Sequence, residues 1–200
     1  MSTLFWNIIA NRYARQEIAN PTAYEVKLAE TRAVLKPSSR VLEFGCGTGS
    51  TALLHAPFVS SLVGLDTSRR MVEIATAKAV DERVDNVTFR VGTVFDVEPA
   101  PFDVVLGLNV LHLVRDLSGT LHRCHDLLRP GGILVASTAC IVGGWKRWLL
   151  PIPGALGLIP SLQFFDEAAL VNAQREAGFD VLCSTRPGSP HSVFTIARRN

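Results

Sequence analysis

Apolar residues recur along this chain at two periods, and the predicted elements change where the period changes. Near the amino terminus Phe5, Ile9 and Tyr13, with Ile8 beside them, fall at i, i+4 and i+8, which predicts an amphipathic helix over Leu4 to Glu17. Asn20-Pro21 reads as a cap followed by a first helical proline, so a second helix is expected from Pro21 to Leu35, closed by Pro37. From Arg40 onward, short runs rich in branched apolar residues alternate with helical spacings. Val41 to Phe44, Ser61 to Leu65, Asn86 to Val91, Phe102 to Leu108 and Ile133 to Ser137 read as strands. Helices are expected from Ser50 and after the cap Ser68, with Met71, Ile74 and Ala75 turned inward. A further one carries Leu117, Leu121, Cys124 and Leu128, and Arg129-Pro130-Gly131-Gly132 stops it. Asp166 predicts the cap of a helix ending at Gly178. The strands Phe179 to Ser184 and Ser192 to Ala197, joined through Pro187-Gly188-Ser189-Pro190, then make a hairpin.

Strands alternating with helices predict an α/β fold, and a run such as Val104-Val105-Leu106 is apolar enough to be buried on both faces of a parallel sheet. The expected architecture is a doubly wound, mostly parallel seven-stranded sheet with an antiparallel C-terminal strand, a Rossmann-like arrangement. The chain reads as a single domain over 1–200. A helical cap covers 1–36, a binding core 37–139, an apolar insert 140–165, and a helix with the hairpin 166–200.

Composition narrows this little. Two hundred residues, 48% of them apolar, suit one globular domain, and a formal charge of +2 gives no field that would gather nucleic acid. Cys46, Cys124, Cys140 and Cys183 show no paired spacing, so neither a disulfide framework nor a metal site is expected. Free thiols, and a Met1-to-Trp6 start without the basic head of a secretion signal, point to a cytoplasmic protein. The uncharged stretch from Trp148 to Phe165 is interrupted by Pro151, Pro153 and Pro160, which argues against a membrane-spanning helix.

The chemistry concentrates in Val41-Leu42-Glu43-Phe44-Gly45-Cys46-Gly47-Thr48-Gly49-Ser50: a strand, a carboxylate, alternating glycines and a helix start. Bare backbone at such a turn lets a ligand approach closely. A dinucleotide site would carry a small packing residue three places after the second glycine, where Ser50 stands. Glu43 is moreover a poor neighbour for pyrophosphate and a tolerable one for a cation.

At these residues the chain resembles the class I S-adenosylmethionine-dependent methyltransferases. The resemblance rests on VLEFGCGTGS, on VGLDTS at 63–68, on FDVVLGLNVLHLV at 102–114 and on LRPGG at 128–132, in that order along the chain. It implies S-adenosyl-L-methionine as cofactor, with S-adenosyl-L-homocysteine (SAH) as product. Gly45, Cys46 and Gly47 would then line the methionyl part, with Glu43 orienting the loop through backbone amides or water. Asp66, about 20 residues past Gly45, would accept from the ribose hydroxyls. Thr67 and Met71 would pack on adenine, whose edge is left to Thr93, Val94 or Asp96. Asn109 would face the amino group and sulfonium, and Tyr13 would close over the site. His112, just past the fourth strand, is the candidate general base.

The fourth strand lacks the proline-aromatic ending of enzymes that methylate base amino groups, which again argues against nucleic acid. The insert offers Trp145, Trp148, Phe164 and Phe165 with Lys146 and Arg147. It leaves three readings open: a lid over a small apolar or aromatic acceptor, a homodimer contact or interior packing, and loose docking on membranes. Two other functions stay open as well, a non-catalytic cofactor-binding or sensor protein and an NAD-dependent oxidoreductase.

Overall fold

Strands with branched apolar side chains at successive positions need cover on both sides. In the computed structural model, which describes residues 3–98, 100–140, 163–188 and 192–200, helices supply it. The strands are β1 (Arg40–Phe44), β2 (Ser61–Asp66), β3 (Val87–Val91), β4 (Phe102–Leu108), β5 (Leu128–Ala139), β6 (Phe179–Thr185) and β7 (Ser192–Arg199). They form one sheet in the order β3-β2-β1-β4-β5-β7-β6, parallel from β1 to β5, with β7 antiparallel to both neighbours.

The helices are α1 (Thr3–Ala14), α2 (Pro21–Arg32), α3 (Ser50–His55), α4 (Arg69–Asp81), α5 (Leu117–Leu127) and α6 (Glu167–Glu176). Alternate residues of one strand enter opposite cores. Leu42, Val105 and Leu134 pack with Leu121 and Leu127 of α5, whereas Val41, Val104, Leu106 and Val135 share the other face with Ala52 of α3. Helix α4 buries Met71, Ala75 and Ala79, a stripe at i, i+4 and i+8.

The expected caps form. Asn20, Ser68 and Asp166 each accept from a backbone N–H in the first turn of α2, α4 and α6. Several boundaries differ from expectation. Helices α1 and α2 end at Ala14 and Arg32, short of Glu17 and Leu35. The inward face of α1 is broader than the expected stripe: Phe5 and Ile9 are half-buried as expected, but so is Trp6, Ala10 is buried, and Ile8 is 72% exposed. At the end of α5 the chain enters β5 directly. Leu128 pairs with Phe102, and a register shift past left-handed Gly131 brings Ile133 opposite Val104, so the Pro-Gly-Gly run belongs to an irregular strand start at Leu128, five residues before the expected Ile133.

His55, the last residue of α3, is fully buried, and neither ring nitrogen has a hydrogen-bond partner. The expected lid lies outside the described residues except for Cys140 and Gln163 to Phe165, and the tip of the β6–β7 connection lies outside them too. Among the described residues no helix is long and apolar enough to cross a membrane.

From β1 the chain steps to β2 and β3 on one side of the sheet, then returns to β4 on the other. That reversal opens a crevice at the carboxyl ends of β1 and β4, the place where doubly wound sheets receive ligands.

Candidate cofactor and acceptor site

The loop after β1 is shaped by its glycines. Gly45 has φ +66°, and a Cβ there would stand 2.4 Å from Val110 Cγ2, so neither the backbone conformation nor the space admits a side chain. Gly47, at φ +54°, is bare for another reason. The space a Cβ would enter opens onto the crevice, with only Tyr13 Cε1 near, at 3.7 Å. The loop is anchored by the Cys46 N–H donating to the Leu65 carbonyl at 2.9 Å. Lys78 of α4 braces it by donating to Thr48 Oγ1 and Ser50 Oγ.

Two acids stand at the ends of the central strands. Asp66 accepts the Gly47 N–H on Oδ2 at 3.0 Å and the Ser68 N–H on Oδ1 at 2.8 Å. Burial raises its pKa against the pull of those amides. Glu43 is almost wholly buried, and its Oε2 has no hydrogen-bond partner. Burial first, and the Asp66 charge second, push its pKa up to about 8, so it carries a proton at neutral pH. The Gly47 amide thus donates to Asp66 and not to Glu43. Two carboxyls on one wall, one of which a nearby cation would help to ionise, favour a ligand that brings positive charge.

Glu43, Gly45, Cys46, Gly47, Asp66, Met71, Asn109 and Tyr13 line one cleft. Thr67, Thr93 and Val94 line a second hollow that shares Gly45 with it. Burial pushes the Cys46 thiol pKa up, which suits a small loop-filling residue and not a nucleophile. The Thr67 hydroxyl is buried without a partner beside the hollow, whereas Thr93 is engaged, its N–H and Oγ1 both donating to Asp96 Oδ2 at 2.8 Å. Those bonds hold Asp96 below the usual carboxylate range. Asn109 adopts φ +55°, donates its N–H to the Ser137 carbonyl and accepts from Ser137 Oγ on Oδ1.

His112 stands apart from these residues. It lines neither cavity, its backbone N–H donates to Thr138 Oγ1, and its ring Nδ1 lies 3.1 Å from the same oxygen. Burial pushes its pKa down to about 4, far from that of an effective base at neutral pH. The position after β4 that suggested a catalytic role is half-buried beside Thr138 of β5.

Sequence reasoning missed Trp6, Tyr24, Lys27, Leu113 and Ser137, all of which line the cleft. Trp6 stands seven residues before Tyr13 and meets its ring edge-on at 6.2 Å, a two-turn spacing legible in the sequence. Lys27 and Ser137 carried no such signal, because 110 residues separate them and only the fold joins them.

The family model described as a methyltransferase domain matches residues 11–184. A curated ubiquinone biosynthesis O-methyltransferase from Bradyrhizobium sp. (strain ORS 278) is 37% identical over 121 residues. That stretch is 58% of this chain but 45% of the relative, so the match spans about half of that protein. Among solved structures, a putative methyltransferase in complex with the Trm112 activator from Haloferax volcanii superposes with a TM-score of 0.78 at 17% identity, over 96% of both chains. Magnesium protoporphyrin IX methyltransferase from Synechocystis PCC 6803, with bound SAH, gives a TM-score of 0.76 at 19% identity, over 99% of this chain and 98% of that one. The motif order, the sheet order and a family model reaching from α1 into β6 agree, and the chain belongs to the class I S-adenosylmethionine-dependent methyltransferases.

Proposed function

We propose that the protein transfers a methyl group from S-adenosylmethionine to a small apolar or aromatic acceptor. A quinone-type or phenolic acceptor is the first class to test, since a ubiquinone biosynthesis O-methyltransferase is among the relatives. The observation that carries the donor reading is the pair of carboxyls, Glu43 buried and Asp66 half-buried, beside a glycine loop with open space above it. The unpartnered Glu43 Oε2, Thr67 Oγ1 and Trp6 Nε1 are buried polar atoms that a ligand with amino-acid and nucleoside ends would satisfy.

Glu43 would face the cationic end, Asp66 the ribose, and Gly45 to Gly47 the methionyl chain, with Asn109 beside the amino group. Thr67, Met71, Thr93 and Val94 would hold the adenine, and Tyr13 would close over the loop. When bound, S-adenosylmethionine supplies an electrophilic methyl group on a sulfonium for in-line displacement. The residues contribute placement: orientation of two reactants supplies about 7–11 kcal/mol, against about 10²–10⁴-fold from a general base. The chain therefore has no need of His112 as a base.

A thermal-shift comparison tests the donor assignment. SAH at about 100 times its Kd stabilises by about 2.7 kcal/mol, which for a chain of this size raises Tm by about 5–10 °C. NAD should leave Tm unchanged. A shift with NAD and none with SAH would reject the assignment.

A further inference from the structure

The cleft is electrically polar along its length. Its acids, Asp66 and Glu43, stand at β2 and β1, while its far end carries a cation. Lys27, on α2, lines the cleft half-buried, and its Nζ donates to Ser137 Oγ of β5 at 3.0 Å and to Ser192 Oγ of β7 at 2.9 Å. Both partners are neutral hydroxyls, and among the described residues no carboxylate forms an ion pair with it. Ser137 passes its own hydroxyl proton toward Asn109 Oδ1, which links the ammonium to the end of β4. The ammonium is held by β5 and β7, which in the sheet order lie on the far side of β4 from Glu43 on β1, next to Asn109, which is assigned to the donor. A partly desolvated charge without a counter-charge is disfavoured, and partial burial holds this lysine below its ordinary pKa.

We infer that Lys27 is a specificity-determining residue that receives a carboxylate carried by the methyl acceptor, which makes the acceptor an aromatic or apolar acid. This rests on the donor assignment above, because that assignment uses no residue of β5 or β7. Ser137 and Ser192 hold the ammonium in place, and the incoming carboxylate supplies the missing counter-charge. Methyl transfer itself needs no proton from Lys27.

The test uses SAH-saturated protein titrated calorimetrically with 3,4-dihydroxybenzoate and with its neutral counterpart, 3,4-dihydroxybenzamide. The acid should bind at least tenfold more tightly than the amide. Lys27→Gln should erase that preference, Lys27→Arg should retain it within about threefold, and SAH affinity should change less than twofold in either. Equal or absent binding of acid and amide to the wild type overturns the inference, and that comparison needs no variant. A preference that survives in Lys27→Gln also overturns it. So does a tenfold loss of SAH affinity in that variant, which would assign Lys27 to the donor's own carboxylate. Failure of SAH to bind the wild type would instead reject the donor reading.

Discussion

At the scale of single residues, the site is a set of polar atoms left short of partners around a backbone that has room for a ligand. Glu43 shows how far position outweighs residue type, since the same carboxyl on the surface would be ionised at neutral pH. His112 makes the opposite point. A histidine after the fourth strand looked like a base, yet its ring is half-buried beside Thr138, and desolvation pushes its pKa down to about 4. His112→Gln, which can still reach Thr138, should change kcat by less than about threefold, whereas loss of a working general base costs about 10²–10⁴-fold. Single-turnover kinetics on the two proteins would decide, and a hundredfold drop with an unchanged Tm would restore His112 to catalysis. The glycine loop and Asp66 were legible because their chemistry lies in one short segment or a fixed spacing. Trp6, Lys27 and Ser137 were not, because residues that meet only through tertiary contacts leave no local pattern.

At the scale of elements, the strands and most caps were readable because burial on both faces and first-turn hydrogen bonds impose residue types locally. Errors fell where tertiary pairing overrode local pattern. β5 starts at Leu128 because Phe102 pairs there, although the sequence pattern starts the strand only at Ile133, after the Arg129 to Gly132 helix stop. Helix α1 turns Trp6, Asn7 and Ala10 inward beside Phe5 and Ile9 because its docking is set by polar contacts as well as apolar ones. Asn7 Oδ1 accepts from Ser68 Oγ at 2.7 Å and from the Arg70 N–H at 3.1 Å, fastening α1 to the start of α4. Since α1 brings Trp6 and Tyr13 to the cleft, this joint should control ligand escape. Asn7→Ala removes two hydrogen bonds, each worth about 0.5–1.5 kcal/mol. It should speed SAH dissociation roughly tenfold in stopped-flow measurements while lowering Tm by only a few degrees. An unchanged off-rate would show that α1 does not gate the cleft.

At the scale of the whole molecule, buried ionisable groups pull stability in opposite directions with pH. His55 and His112 resist protonation until about pH 4, whereas in the unfolded chain they take protons near 6.5, so the stability their burial permits is lost as pH falls through that window. Glu43 is the reverse. It ionises near 4.5 when unfolded and about 8 when folded, so stability is lost as pH rises between those values. Two histidines outweigh one glutamate below 6.5, and above it Glu43 has the largest shift among the carboxyls. Urea unfolding should therefore find maximal stability near pH 6.5, declining toward pH 8 by at most about 1.4 kcal/mol per pH unit. A stability that climbed steadily to pH 8 would contradict the buried, protonated state of Glu43.

That acid also couples ligand capture to the solvent. A sulfonium docking beside Glu43 at pH 7 favours its anion, so loading the cleft with S-adenosylmethionine should expel up to one hydrogen ion into bulk water. Apparent binding enthalpies would then differ between Tris and phosphate in proportion to the buffers' heats of ionisation. Glu43→Gln should make them coincide.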